Sequence, residues 1–207
     1  WDEGTRLMKY EVDHLLARGI NRYVPHAFSP KEFPDFDCPP HFYAHGHNPQ
    51  YKHFRSLMEY MNRVCTLLSG GVHVAPVALL YHAEAEWTGE AMLMQKPARR
   101  LLDSQIDYDI LPTDVFRDRE HYHTDLSEEF RVNQQSYRAL VVPYAQFISP
   151  VLAEAIRQMQ EIGVPVIFLE GLPEGVYEGE ALQLELLKQC KVMPLGQLVE
   201  YLRKEEI

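Results

Sequence analysis

The 207-residue chain has few of the features that mark several common classes of protein. Its three cysteines, Cys38, Cys65 and Cys190, lie far apart and form no CxxC pair, which argues against a disulfide framework and a common zinc site. Isolated cysteines are typical of a reducing compartment, so we expect a cytoplasmic location. No apolar run approaches the roughly 20 residues that cross a bilayer, and we therefore expect no membrane partner.

Basic residues are also scarce. The chain has 20 lysines and arginines against 30 aspartates and glutamates, a formal net charge of -10. Such a chain binds a polyanion only where its basic residues form a local stripe. The densest basic positions, Lys96, Arg99, Arg100, Lys188 and Lys191, are interleaved with apolar residues, as on a solvated helix face. We therefore expect no nucleic-acid partner.

Apolar residues are plentiful at 46%, which is enough to build a compact core. In the first part of the chain, residues 2–19 and 49–69 show helical spacing of apolar positions. Between them, INRYVPHAF at residues 20–28 predicts a strand that leads into a proline-rich loop, residues 29–48. A single strand needs neighbours, and the chain begins with Trp1 rather than methionine. We therefore expect a piece of a longer protein.

After Gly71, strands and helices alternate. The predicted strands are residues 74–81, 106–112, 139–143, 164–169 and 192–194. The predicted helices are residues 89–104, 149–162, 180–188 and 195–204, the second with Ser149 as its N-cap and Pro150 at its first position. Several strands are continuous apolar runs, as expected for strands buried on both faces. The alternation predicts an α/β fold with a flavodoxin-like, doubly wound, parallel five-stranded sheet over residues 72–207.

Two motifs are absent from the place where such a sheet binds ligands. A nucleotide-binding sheet has a glycine-rich turn after its first strand, whereas this chain has the acidic sequence HAEAEWTGE. Hydrolases and amidotransferases of this layout have a nucleophile in a Gly-x-Ser-x-Gly or Gly-x-Cys-x-Gly turn, and neither is present. Cys190, between a helix and a strand, is expected to be an inert thiol. We expect no cofactor.

The second region resembles a known domain through VAPVALLYHAEAEW, YDILPTDVF, YRALVVPYAQFISPVLAEAI and VPVIFLEG. These segments are similar to the amidotransferase-like domain that follows the barrel in several glycoside hydrolases, called the trimerisation domain in family-42 β-galactosidases. The first region, residues 1–71, resembles the last helix–strand–helix of a (β/α)₈ barrel, as in family-106-like and related glycosidases. The resemblance implies the accessory and barrel-closing portion of a carbohydrate-acting glycoside hydrolase that assembles as a homo-oligomer.

A barrel would place the loop after residues 20–28 at the sugar pocket, because substrate groups lie at the carboxyl ends of barrel strands. The resemblance thus implies that imidazole and amide groups bind the carbohydrate substrate, and the candidates are His26, His41, His45, His47 and Asn48. The alternative is that these side chains only bond the loop backbone. Imidazoles also bind metals, but their spacing here matches no common zinc site, so we expect no metal.

The first strand of the second region ends in Glu84, Glu86 and Trp87. Glycoside hydrolysis normally needs two carboxyl groups about 5 Å or more apart. Glu84 and Glu86 are weak catalytic candidates, because only one residue separates them, and we expect the essential carboxylates to lie outside this chain. Trp87 offers a flat face for a sugar. The alternative is that Glu86 or Glu90 favours the start of a helix while Trp87 packs as a lid.

Two other classes of function stay open. A non-enzymatic oligomerisation or interaction module would show an exposed apolar patch. A stand-alone flavodoxin-like binder of small molecules would use the crevice at the carboxyl edge of the sheet.

Overall fold

The computed structural model describes residues 4–26, 31–32, 34, 42–178 and 182–207. The chain divides into two compact units, Trp1–Gly71 and Val72–Ile207. Within the described ranges, no helix is both long enough and apolar enough to span a membrane.

The first unit is built on two helices, α1 (Thr5–Leu16) and α2 (Tyr51–Leu67), with a 3-10 turn at Ala44–Gly46 before the second. The helices pack through Val12 and Leu16 of α1 against Leu57 and Met61 of α2. Each pair is spaced four residues apart, so both members lie on one helix face. The two helices are also joined by the Tyr60 hydroxyl, which donates to Asp13 Oδ1 at 2.6 Å.

The strand predicted at residues 20–28 is not found in the part of it that the structure describes. Residues 20–26 have no regular secondary structure, and residues 27–28 lie outside the described ranges. Tyr23 instead bonds the end of α1, because its hydroxyl donates to the Val12 carbonyl at 3.2 Å. Pro25 lacks a backbone N–H, and Val24 is 94% exposed. A strand requires a partner, and the prediction was wrong because local β propensity does not supply one.

The second unit contains all the strands of the described chain. They are β1 (Val77–Tyr81), β2 (Tyr108–Pro112), β3 (Thr124–Asp125), β4 (Phe130–Val132), β5 (Gln135–Tyr137), β6 (Ala139–Val142), β7 (Phe147–Ile148), β8 (Val166–Leu169), β9 (Gly175–Val176) and β10 (Lys191–Met193). The helices are α3 (Ala85–Thr88), α4 (Gln95–Asp103), α5 (Asp114–Arg117), α6 (Arg119–Tyr122), α7 (Pro150–Glu161), α8 (Leu182–Leu187) and α9 (Leu198–Lys204). A 3-10 turn, Leu195–Gln197, precedes the last helix, where the sequence predicted one continuous helix.

The main sheet has the strand order β2-β1-β6-β8-β10, and all its pairings are parallel. Numbered by their appearance in the chain, these five strands run 2-1-3-4-5. This order is the flavodoxin-like one, so the predicted α/β fold class with a doubly wound, five-stranded parallel sheet is confirmed.

The central strands β1, β6 and β8 are buried on both faces, as their apolar sequences predicted. Ala78 and Leu80 of β1 enter one core, which α7 covers. Val77 and Leu79 enter the other core, which α4 and α9 cover. The alternation follows from the period of two residues in a strand. Helix α7 begins as predicted, since the Ser149 hydroxyl accepts a hydrogen bond from the Leu152 N–H at 3.1 Å.

Two further parts of the second unit differ from the prediction. Helix α4 begins at Gln95 rather than residue 89, because residues 90–92 run antiparallel to residues 144–146, with the Met92 N–H bonded to the Tyr144 carbonyl at 2.8 Å. Strands β3, β4 and β5 form a small antiparallel sheet that the sequence did not predict. Its turn uses Asn133 at a φ of 55°, a conformation that asparagine tolerates.

Candidate functional site

The carboxyl edge of the parallel sheet is the part of this fold that binds ligands in related architectures. The chain goes from β1 to β2 on one side and then to β6 on the other side of β1. The connections that follow β1 and β6 therefore diverge, and the crevice between them is the topological switch point. The segments after β1, β2 and β6 build this edge.

His82 and Thr113 are the first residues after β1 and β2. The parallel register pairs Tyr81 with Pro112, and its continuation places His82 opposite Thr113. Leu80 and Leu111, two residues earlier, lie in the core that α7 covers, and the strand period of two predicts that His82 and Thr113 continue the same face. His82 is 6% exposed and Thr113 is 3% exposed. The sheet thus sets two polar side chains next to each other in an apolar environment.

The polar atoms of these side chains are unpaired. Among the described residues, neither ring nitrogen of His82 has a hydrogen-bond partner, and the same is true of Thr113 Oγ1 and of Glu84 Oε1. A buried polar group without a partner costs roughly 1–3 kcal/mol, and such groups in native proteins usually meet water or a ligand. Three of them at one edge of a sheet mark a candidate binding site.

Burial controls the charge of His82. It lowers the pKa of the imidazole from 6.5 to about 4, and the negative charge of Glu84 opposes this decrease only in part. His82 is therefore neutral at pH 7 and offers one N–H donor and one nitrogen acceptor. The influence of Glu84 on the His82 pKa also indicates that the two side chains are close.

Tyr177 brings a fourth element to the edge. Its backbone N–H bonds the Ile148 carbonyl at 3.0 Å, just after the pairing of β7 with β9. Burial raises the pKa of the Tyr177 hydroxyl and the charge of Glu84 raises it further, while a hydrogen bond with Ser149 and the charge of Arg117 lower it. Tyr177 therefore lies within electrostatic reach of both Glu84 and Arg117.

Glu84 and Glu86 do not form a facing pair of carboxylates. Helix α3 starts directly after Glu84, which has helical backbone angles, and Glu86 lies in its first turn. Residues two positions apart in a helix point to nearly opposite sides. The structure agrees with this geometry, because Glu84 is half-buried whereas Glu86 is exposed. The two groups therefore differ in environment and in direction.

Trp87 lies three positions after Glu84, so their side chains share one side of α3. The indole is 84% exposed. Such exposure contradicts the alternative in which Trp87 packs as a lid. It leaves a flat apolar surface beside a carboxylate at the carboxyl edge of the sheet.

The sugar-binding candidates of the first unit lie in a different environment. The Asn48 side chain donates to the Phe42 carbonyl at 2.9 Å and accepts from the Gln50 N–H at 2.9 Å. The His45 ring bonds the Lys31 carbonyl. His26 and His47 are exposed, and His41 lies outside the described residues. Asn48 and His45 thus bond the loop backbone, as the alternative interpretation proposed.

Within the described ranges, no three His, Cys, Asp or Glu side chains are placed so that they could bind a metal ion together. Cys190 is half-buried, its sulfur accepts a hydrogen bond from Gln160 Nε2 at 3.0 Å, and burial raises the pKa of the thiol to about 11. It is therefore protonated at neutral pH, which agrees with an inert thiol.

A groove of about 590 Å³ lies beside α5 and the start of α7. It is lined by Phe116, Arg117, Arg119, Pro150, Val151, Glu154 and Gln158. Its polar side chains bond one another, since Arg119 donates to Gln158 at 2.6 Å and Gln158 donates to Glu154 at 2.7 Å. The polar groups of this groove therefore already have partners, whereas the unpaired atoms of His82, Glu84 and Thr113 do not, so the groove is the weaker candidate for a binding site.

Sequence reasoning placed Glu84 and Trp87 at this edge but missed Thr113 and Tyr177. Thr113 could have been found, because the carboxyl ends of neighbouring parallel strands meet at one edge. Tyr177 could not, because β9 has only two residues and pairs with β7 outside the main sheet.

Comparison with known proteins gives one positive finding. The model of glycoside hydrolase family 106, described as alpha-L-rhamnosidase, matches residues 1–173. This match includes the whole first unit and the second unit as far as β8. No curated protein matches the chain.

Proposed function

The chain belongs to glycoside hydrolase family 106, and from this membership we propose that it is part of an enzyme that hydrolyses α-L-rhamnosides. The family match over residues 1–173 carries the proposal. The match itself relates the chain to carbohydrate-acting hydrolases. The sugar and the bond come from the description of the family as alpha-L-rhamnosidase.

We further propose an accessory role for this chain within the enzyme. Residues 1–71 would be the closing part of a catalytic (β/α)₈ barrel, in which strands of the rest of the enzyme would pair with residues 20–26, and residues 72–207 would be the amidotransferase-like domain that follows in the chain. The division of the chain at Gly71 and the 2-1-3-4-5 parallel sheet support this arrangement. Because the family match continues across Gly71, it favours this role over a stand-alone flavodoxin-like binder.

The carboxylates support an accessory role rather than a catalytic one. Hydrolysis of a glycosidic bond needs an acid and a second carboxylate facing the same bond. Glu84 is half-buried and Glu86 points away from it into solvent. We propose that the catalytic carboxylates lie elsewhere in the enzyme, and that Glu84 and Trp87 belong to the rim of its sugar pocket.

An assay of the 207-residue chain with 4-nitrophenyl α-L-rhamnoside tests the absence of catalysis. We expect no release of nitrophenol above the buffer rate. Release that disappears in Glu84→Gln or Glu86→Gln would overturn the accessory role, because it would make one of these groups catalytic.

A fluorescence titration tests the sugar-binding role. L-rhamnose should change the emission of the chain in a saturable manner, because its apolar face would stack on the exposed indole of Trp87. The chain has two tryptophans, so Trp87→Phe leaves Trp1 as an internal reference. A response that Trp87→Phe does not alter would contradict a role of Trp87 in the rim.

A second candidate function is oligomerisation, which the exposed apolar side chains of the second unit favour. They include Tyr81, Trp87, Leu93 and Ile110. Sedimentation velocity should show a mass that rises with concentration and that falls toward 24.1 kDa in Leu93→Glu. A constant monomer mass for the parent sequence would exclude this homo-oligomer.

A further inference from the structure

Three side chains at the carboxyl edge of the sheet carry buried polar atoms with no partner among the described residues: both ring nitrogens of His82, Oε1 of Glu84 and Oγ1 of Thr113. We infer that these side chains form a binding site for the hydroxyl groups of a sugar, with Trp87 of α3 at its side. The inference deepens the proposed function and rests on it for the choice of a sugar as the ligand.

The chemistry of the three groups selects the class of ligand. Neutral His82 offers one donor and one acceptor, Thr113 can donate and accept, and the Glu84 carboxylate only accepts. A hydroxyl group also donates and accepts, so it can bond all three. A phosphate or carboxylate would be repelled by Glu84, and these groups alone make a poor cation site because Glu84 is their only charged oxygen ligand.

The burial of His82 and Thr113 distinguishes this site from weak, nonspecific sugar binding at the protein surface. His82 and Thr113 are more than nine-tenths buried, and each directly follows a strand of the main sheet. Their positions are therefore fixed before a ligand arrives, which lowers the entropy cost of binding. A hydroxyl that reaches them would replace the hydrogen bonds with water that these side chains lost on folding.

Trp87 makes a sugar a better ligand than water alone. The indole shares one side of α3 with Glu84 and is 84% exposed. A pyranose has an apolar face and a ring of hydroxyl groups, so it can stack on the indole while a hydroxyl enters the site. The Tyr177 hydroxyl, which has a hydrogen bond with Ser149, also lies within electrostatic reach of Glu84.

Because His82 and Thr113 are buried, a ligand reaches them only if a neighbouring element moves, and we propose that this element is α3, which begins three residues after His82. This helix has only four residues, and its turns are held by bonds such as Trp87 N–H to the Glu84 carbonyl at 3.1 Å and Thr88 Oγ1 to the same carbonyl at 3.1 Å. So short a helix is marginal by itself. Its displacement would expose His82 and shift Trp87, so ligand binding and indole emission should change together.

Two matched threonine variants distinguish a binding role of Thr113 from a structural one. Thr113→Val removes an unpaired hydroxyl and keeps the shape of the side chain. Thr124→Val removes a hydroxyl that donates to the Val115 carbonyl at 2.6 Å. The first variant should bind the sugar about tenfold more weakly without loss of thermal stability, and the second should lose stability without loss of affinity.

The experiment is isothermal titration of the 207-residue chain with L-rhamnose, D-mannose and glycerol, together with indole emission. We expect saturable binding of at least one sugar, no comparable binding of glycerol, and weaker binding in both Thr113→Val and Glu84→Gln. Glu84→Gln keeps the size of the side chain, so it serves as the second variant if Thr113→Val fails to fold.

The outcomes distinguish this inference from the proposed function. Sugar binding that Thr113→Val and Glu84→Gln leave unchanged would overturn the site while the rhamnoside assignment stands. Binding of D-mannose but not L-rhamnose, weakened by both variants, would support the site and count against that assignment. No binding of either sugar, or a ligand-soaked crystal with only water at His82, would overturn the site.

Discussion

The two units of this chain bury their apolar residues in different ways. In the second unit, the main sheet is covered on both faces, and strands such as β6 and β8 are fully buried. In the first unit, two helices share a small core of Val12, Leu16, Leu57 and Met61. The same unit exposes large apolar side chains elsewhere, such as Val24 at 94% and Leu67 at 82%.

This difference in burial indicates which unit contributes more to the stability of the chain. Burial of apolar surface is the main favourable contribution to folding, at about 25 cal/mol per Å². A sheet with two cores removes far more apolar surface from water per residue than one helix–helix contact. The second unit should therefore be the more stable one, and the first unit should open more easily.

Hydrogen exchange is the most direct test of whether the two units differ in stability. We expect the amides of β6 and β8 to exchange through global unfolding, and those of α1 through local opening that costs several kcal/mol less. Mass spectrometry of the intact chain measures both in one sample. Equal protection of the two units would show that they unfold as one cooperative body.

The same comparison explains which elements could be predicted from the sequence. The strands of the main sheet were found because continuous apolar runs such as ALVV in β6 already contain the information that both faces are buried. Residues 20–26 have a similar β propensity, but no strand forms there because a strand depends on a partner distant in sequence. Strands of two or three residues, such as β3, β4 and β5, carry too little pattern to be recognised.

The candidate site, like the fold, could be predicted from the sequence only in part. Glu84 and Trp87 follow a recognisable strand, so their place at the carboxyl edge could be inferred. The opposite directions of Glu84 and Glu86 could not, because they depend on the short helix α3. The proximity of His82 and Thr113 depends on the register between β1 and β2, which residues more than 20 positions apart determine together.

A matched pair of leucine substitutions sharpens the comparison. Leu140→Ala in β6 removes a side chain with no solvent exposure and should cost about 4 kcal/mol of the free energy of unfolding. Leu57→Ala in α2 makes the same chemical change at 7% exposure, beside a small core that can relax, and should cost about 2 kcal/mol. Urea unfolding of both variants measures the difference. A larger cost for Leu57→Ala would reverse the proposed order of the two units.

Acid should weaken the second unit in particular, because His82 belongs to it. The pKa of His82 is about 4 in the folded chain and 6.5 in the unfolded chain, so the unfolded state binds the proton more readily. Above pH 6.5, His82 is neutral in both states and does not lower the free energy of unfolding. As the pH falls from 6.5 to 4, protonation of His82 in the unfolded state lowers that free energy by about 3 kcal/mol in total.

Unfolding free energies of the parent chain and of His82→Leu measure this effect between pH 6.5 and 4. The variant should lose most of the pH dependence, and the exposed-site control His73→Gln should keep it. An unchanged slope in His82→Leu would mean that other groups control the acid sensitivity of the unit.

The smallest expected effect concerns one side-chain hydrogen bond near a helix end in each unit. Ser149 is buried, and its hydroxyl accepts from the first turn of α7, so Ser149→Ala should cost about 1 kcal/mol. Thr66 lies in the exposed last turn of α2 and donates to the Asn62 carbonyl at 2.7 Å, a bond that solvent can replace, so Thr66→Ala should cost less than about 0.5 kcal/mol. Thermal unfolding of both variants compares them directly. Equal losses would mean that burial adds nothing to the value of the Ser149 cap, and would weaken the view that the second unit dominates the stability of the chain.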